Sequence, residues 1–256
     1  MPGQLDTLEE ELARIRNVGV SPVTRLLWKH GSEFITDWVR SICQGNSRVL
    51  DVGCGTAGYL VSLTSDTTSE CCGMDPLIEV SLKPAKDNVD EKGLAVHLIC
   101  ATGEFIPFRD ETFDVVLVFS TLQHVANQDK VLLEIRRVLK PEGRLLLSVP
   151  QRKGINSARL LAARMLQRIR ACESFFTMDF SSGDLIRILN KNGFQMVKMH
   201  GRNFSPMFFP GFLSILLKLH QDSAVMKLME FSDVLADRTP FLASNLVALC
   251  AKEKDG

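Results

Sequence analysis

Two carboxylates, a glycine turn and one histidine are the residues best placed to do chemistry. Arg48-Val49-Leu50-Asp51-Val52 reads as a strand, and Gly53-Cys54-Gly55-Thr56-Ala57-Gly58 follows it directly, ahead of a helical stretch. A GxGxxG turn between strand and helix is the setting of a dinucleotide pyrophosphate site, so a nicotinamide cofactor is one reading. Glycines there let the backbone turn sharply and approach a ligand closely. Asp51 argues for a different ligand. At the strand's carboxyl end its charge would repel a pyrophosphate and attract a sulfonium and an α-ammonium, the charges of S-adenosylmethionine. Asp75, at the end of the next strand, can accept both hydroxyls of a ribose, which either cofactor offers. His124 follows a fourth strand, at the sheet edge where ligands of open α/β folds bind. With an ordinary pKa of about 6.5, it is the candidate general base; the blander reading is a histidine that only lines or caps a pocket.

The elements that must position these groups alternate. Glu70 to Met74, Ala95 to Cys100, Phe113 to Phe119 and Arg144 to Val149 read as further strands. Phe113 to Phe119 (FDVVLVF) is continuously apolar, as a strand covered on both faces should be. Helical periodicity fills the gaps: Tyr59 to Leu63, Leu77 to Lys92 with Pro84 as an interruption, and Asp129 to Leu139, ended by Pro141-Glu142-Gly143. Strands alternating with helices predict parallel βαβ units in an open, doubly wound α/β sheet. Helices precede this unit at Leu5 to Arg16, from Ser21-Pro22 through Trp28, and around Phe34 to Ile42. Past Pro150 a basic helix over 157–170, a helix over Ser181 to Asn192, a strand over Phe194 to Met199, a helical insert over about 207–235 and a last strand over Asn245 to Ala251 complete the pattern.

Composition narrows the function. The 256 residues suit one large α/β domain, and 45% apolar residues supply a sizeable core. Thirty basic residues balance thirty acidic ones, so no global field recruits nucleic acid. The polar, acidic N-terminus lacks the apolar segment of a secretory signal, and the apolar run from Pro206 to Leu219 is too short to span a bilayer. Seven scattered cysteines show no zinc spacing, and most lie in apolar runs, which reads as reduced thiols in a cytoplasmic protein. Alternation along a strand points Cys71 and Cys72 to opposite faces.

The stretch from Arg48 to Pro150 resembles the class I S-adenosylmethionine-dependent methyltransferases, in the ubiquinone/menaquinone methyltransferase-like (type 11) group. The resemblance rests on VLDVGCGTAGYL at 49–60, GMDP at 73–76, GEFIPFRDETFDVVL at 103–117, STLQHV at 120–125 and the LLEIRRVLKPEGRLLLSVP run ending at Pro150. It implies a Rossmann-like, doubly wound, seven-stranded and mostly parallel sheet with an antiparallel last strand, N-terminal helices and a helical cap insert. It also implies a helical segment over 1–45 covering the cofactor site, and a domain over 46–256 with inserts at about 152–192 and 206–236.

The same resemblance assigns roles. Asp51, Gly53, Cys54 and Gly55 would line the methionine end of S-adenosylmethionine, and Asp75 would hold the ribose, with Pro76 beside the adenine. The positions usually read as Asp-Ala-Glu are Thr102, Gly103 and Glu104 here. Thr102 offers the adenine a neutral hydrogen bond, about half as strong as a charge-assisted one. Ser120 would offer its backbone beside the sulfonium. The implied function is methyl transfer, by O- or C-methylation, to a small apolar or lipid-like acceptor, leaving S-adenosylhomocysteine. The apolar stretch 206–213, with Trp28 and Phe34, reads as the wall of its pocket or as ordinary packing. The basic face of 152–170 (Arg152, Lys153, Arg159, Arg164, Arg168, Arg170) suits a solvated cap, an anionic substrate or peripheral membrane contact. A tRNA-modifying enzyme and an inactive, methyltransferase-like scaffold remain as alternatives.

Overall fold

The computed structural model describes residues 33–43, 46–64, 69–151, 180–204 and 222–253. Helix α1 covers 33–42. Strand β1 (Arg48–Val52) leads through the glycine turn into α2 (Gly58–Thr64) and β2 (Glu70–Asp75). Helix α3 (Lys83–Glu91) and β3 (Val96–Cys100) follow, then β4 (Phe113–Phe119), α4 (Gln128–Val138) and β5 (Leu139–Pro150). The chain returns with α5 (Ser182–Lys191), β6 (Phe194–Phe204), α6 (Asp222–Arg238) and β7 (Ala243–Lys252).

The strands form one seven-stranded sheet in the order β3-β2-β1-β4-β5-β7-β6. The first five pair in parallel, and β7 runs antiparallel between β5 and β6. This is the doubly wound fold read from the alternating pattern. Its two faces carry separate cores: Leu50, Val116, Leu145 and Leu147 pack beneath α4 and α5, and Val49, Leu117 and Leu146 pack beneath α1 to α3. Cys71 joins the second core and Cys72 the first, as strand alternation requires. Cys100, by contrast, is exposed and is not a core thiol.

Local signals explain the helix starts. The Asn127 side chain accepts the Lys130 N–H at 3.0 Å, and Ser181 and Asp184 form a reciprocal capping box at α5. Leu77 to Lys92 is not one helix: a wide π-type turn at Ile78–Leu82 precedes α3, which takes Pro84 in its first turn, where no N–H is needed. Pro141-Glu142-Gly143 does not separate α4 from the fifth strand. The strand begins at Leu139, and a register shift against Phe113 and Val115 absorbs the proline and glycine. A Cβ on Gly143 would meet Leu139 Cδ2 at 2.8 Å and the Lys140 carbonyl at 2.9 Å. β6 continues past Met199 to Phe204. The two helices expected before residue 30, the basic helix over 157–170 and the apolar stretch 206–219 lie outside the described residues. Among those described, no helix is long and apolar enough to cross a membrane.

The segment joining β3 to β4 is tied down by Arg137 of α4. Its Nε donates to Glu134 Oε1 (2.9 Å), Nη1 to the Phe108 carbonyl and Asp110 (both 2.8 Å), and Nη2 to the Ile106 carbonyl (2.9 Å) and Glu134 Oε2 (2.8 Å). Glu134 in turn accepts the Ile106 N–H at 2.9 Å. The IPFRDE stretch is thus written to meet the EIRR turn of α4, and it fixes the segment carrying Thr102, Gly103 and Glu104.

Candidate active site

The carboxyl ends of β1, β2 and β4 meet at the glycine turn. Asp51 pairs in register with Gly73 of β2 and Leu117 of β4, deep in the sheet. It is 1% exposed, and neither carboxylate oxygen has a hydrogen-bond partner. Burial, reinforced by the charge of Asp75, pushes its pKa up to about 7. Buried charge is normally paired, so this orphaned carboxylate marks a place where a cation belongs. Burial, with Asp51 adding to it, raises the neighbouring Tyr59 hydroxyl to about 12. Burial and both aspartates push the Cys54 thiol upward, so it is no thiolate nucleophile.

Asp75 organises the turn from the other side. Its Oδ2 accepts the Gly55 N–H at 3.1 Å and its Oδ1 the Leu77 N–H at 2.9 Å. The Met74 carbonyl accepts the N–H groups of Gly53 (2.8 Å) and Cys54 (3.0 Å). Gly53 and Gly55 both need left-handed backbone, at φ +77° and +53°. They differ in what lies beside them: a side chain on Gly53 would run into Thr121, whereas a Cβ on Gly55 would meet nothing within 4 Å. Gly73 is small for packing, since its Cβ would lie 2.9 Å from both Cys54 Sγ and Leu60 Cδ1.

The remaining candidates fall around this turn. Pro76 follows Asp75, half-buried. Gly103 is buried where a Cβ would crowd Val52 (3.3 Å) and Val131 (3.2 Å), placing the 102–104 segment against the end of β1. Thr102 is half-buried, its carbonyl accepting the Phe105 N–H at 3.0 Å; Glu104 is half-buried. Ser120 is exposed at φ +51°. His124 lies on the exposed turn beyond, its backbone N–H donating to the Thr121 carbonyl at 2.9 Å. The structure thus gathers Asp51, Gly53, Cys54, Gly55 and Asp75 at the turn, with Gly103 against the end of β1, and puts His124 on the adjoining loop.

Phe34 is half-buried on α1. It packs against Trp38 and His200 (ring centroids 5.7 Å from each) and beneath the Arg202 guanidinium at 3.9 Å, docking α1 on β6. Residues 1–32 of the segment expected to cover the cofactor, with Trp28, lie outside the described residues. His200 is structural, its Nδ1 2.6 Å from Asp237 Oδ1. A cleft of about 570 Å³ beside α3 and β3 is lined by Cys72, Lys86, His97 and Phe108 and by none of the candidate residues. Sequence reasoning missed Thr121, Tyr59 and Ser148, although all three lie inside motifs it quoted.

The stretch that carries this turn matches known proteins. A family model described as a methyltransferase domain matches residues 50–147. A ubiquinone biosynthesis O-methyltransferase of Bradyrhizobium diazoefficiens is 37% identical over 115 residues, covering 44% of each chain. The ubiquinone/menaquinone biosynthesis C-methyltransferase UbiE of Paraburkholderia phymatum is 36% identical over 113 residues, 42% of this chain and 46% of that protein. The chain therefore aligns with less than half the length of these two curated relatives. Fold likeness reaches further: the crystal structure of the YcgJ protein of Bacillus subtilis matches at a TM-score of 0.59 and 19% identity, over 89% of this chain and 100% of that one. Residues 50–147 thus match a methyltransferase domain family, and the seven-stranded sheet is the Rossmann-like one of the class I methyltransferase fold.

Proposed function

We propose that this chain transfers a methyl group from S-adenosylmethionine to a small apolar or lipid-like acceptor. The observation that carries the proposal is Asp51, a buried carboxylate with no partner beside a glycine turn open at Gly55. A ligand whose charge near the turn is positive satisfies that carboxylate; a pyrophosphate does not. Asp51 would face the cofactor's ammonium, with the backbone at Gly53, Cys54 and Gly55 around its methionine end. Asp75, which holds the Gly55 and Leu77 N–H groups, would meet the ribose hydroxyls. Pro76 and the 102–104 segment would flank the adenine, and Ser120 the sulfonium.

The bound cofactor supplies an activated methyl and its own leaving group, so the protein's work is orientation and exclusion of water. For an oxygen acceptor, His124 takes the proton from the hydroxyl as the methyl arrives. The acceptor class is drawn from the ubiquinone-pathway relatives, one an O- and one a C-methyltransferase by name.

Calorimetric titration of the chain with S-adenosylmethionine, S-adenosylhomocysteine and NAD tests the cofactor. Binding of the first two is expected, and tighter binding of NAD would overturn the reading. A tritiated-methyl assay over prenylated phenols and tRNA tests the acceptor, with label expected in the lipid fraction; label in tRNA would replace it. Turnover by His124→Ala is expected to drop by about a hundredfold with S-adenosylhomocysteine binding unchanged. Full turnover would remove His124 from the mechanism.

A further inference from the structure

The side chain of Thr121 occupies the place a side chain on Gly53 would take. Its Oγ1 lies between two carbonyls, 3.0 Å from that of Phe119 and 3.5 Å from that of Gly53. The Thr121 carbonyl accepts the His124 N–H. A short path of contacts thus runs from the cofactor turn, through one threonine, to the loop that presents the candidate base.

The residue before it is strained. Ser120 holds φ +51° without being glycine, a conformation that costs about 1–2 kcal/mol and persists only where its surroundings hold it. Here the holding groups are on β5: the Ser120 N–H donates to the Ser148 carbonyl at 3.2 Å and to its Oγ at 3.1 Å. A strained residue gripped by β5, whose next neighbour Thr121 packs against the glycine turn, has a relaxed alternative. Ligand contacts at the turn can bias that choice.

We propose that Thr121 is a positioning residue that transmits occupancy of the glycine turn to the 120–125 loop and so sets His124 against the methyl donor. The inference rests on the methyltransferase reading. The Thr121 side chain, Oγ1 and methyl together, fills the space beside Gly53, and its one O–H donates to the Phe119 carbonyl with the Gly53 carbonyl at the edge of reach.

Hydrogen–deuterium exchange on the wild-type chain, with and without S-adenosylhomocysteine, tests it directly. Slower exchange is expected in peptides covering 120–125 as well as 53–60; protection confined to 53–60 would overturn the proposal. Calorimetry on variants separates shape from hydroxyl. Thr121→Val keeps the shape and is expected to weaken S-adenosylhomocysteine binding about fivefold and abolish protection of 120–125, whereas Thr121→Ser is expected to restore both. Valine and serine variants that bind and protect alike would sink it. Absence of binding by the wild type would instead defeat the methyltransferase reading itself, so the two failures are distinct.

Discussion

Arg137, half-buried on α4, and Asp51, buried at the end of β1, are both ionisable groups, and they are treated in opposite ways. Arg137 has a partner for each N–H it carries, and Glu134 answers it with both carboxylate oxygens. The pair reinforces itself: the Arg137 hydrogen bonds hold Glu134 below the usual carboxylate range, and Glu134 raises Arg137. Asp51 is more deeply enclosed, and its carboxylate accepts no hydrogen bond. The difference separates a charge used to assemble the fold from one kept for a ligand. Motif membership does not distinguish them, since both stand in stretches that resemble one family.

The comparison breaks most sharply at Asp51→Asn. Cofactor binding is expected to weaken by about a hundredfold or more, since the variant leaves a buried cation without its counter-charge. The same variant is expected to be more stable than wild type above pH 7, by a few kcal/mol in urea titration. A variant that binds normally would place the cofactor's positive charge elsewhere. Next in size, Arg137→Ala should cost about 2–3 kcal/mol, because it strands Glu134 and two carbonyls; a loss below about 1 kcal/mol would deny it a structural role.

A pH series sharpens the contrast further. Asp51 has its pKa raised to about 7 in the folded chain, against 3.8 when free, so between those values the folded state binds the extra proton. Stability of the free protein should therefore fall as pH rises through that window, by at most about 1.4 kcal/mol per unit, and level off above it. Cofactor affinity should run the other way, rising up to about tenfold per unit until pH 7 and then flattening, because the cation needs the ionised carboxylate. A flat profile in both would mean that Asp51 is ionised throughout. The smallest effect is reserved for Asp110→Ala. Its carboxylate is largely exposed beside Arg137, so removal should cost about 0.5 kcal/mol or less; a larger loss would shift the weight of the network away from Glu134.

The parts legible in sequence are those with one dominant cause. FDVVLVF reads as a buried strand because both of its faces must be apolar, and Asp51 stands out because a charge ending such a strand has no structural use. Ser181 and Asp184 announce a helix start three residues apart. The misreadings come where tertiary contacts override a local rule. Proline and glycine at 141 and 143 signal a break, yet pairing with β4 carries the strand through them. The Phe34 contacts with Arg202 and His200 arise only because β6 extends past Met199. Thr121 carries no signal of its own; its role exists only because Gly53, far away in sequence, leaves room for it.

The position of β7 also governs the order of assembly. The strand over 243–252 is the latest of the seven in the chain, yet it lies inside the sheet and supplies the pairing partner of β6. During synthesis β1 to β5 can pair as they emerge, but β6 has no neighbour until β7 is made. The edge of β5 stays open for roughly the hundred residues between them, a stretch rich in apolar side chains and exposed to wrong partners. A nascent chain halted between β6 and β7 is therefore the form most in need of a chaperone.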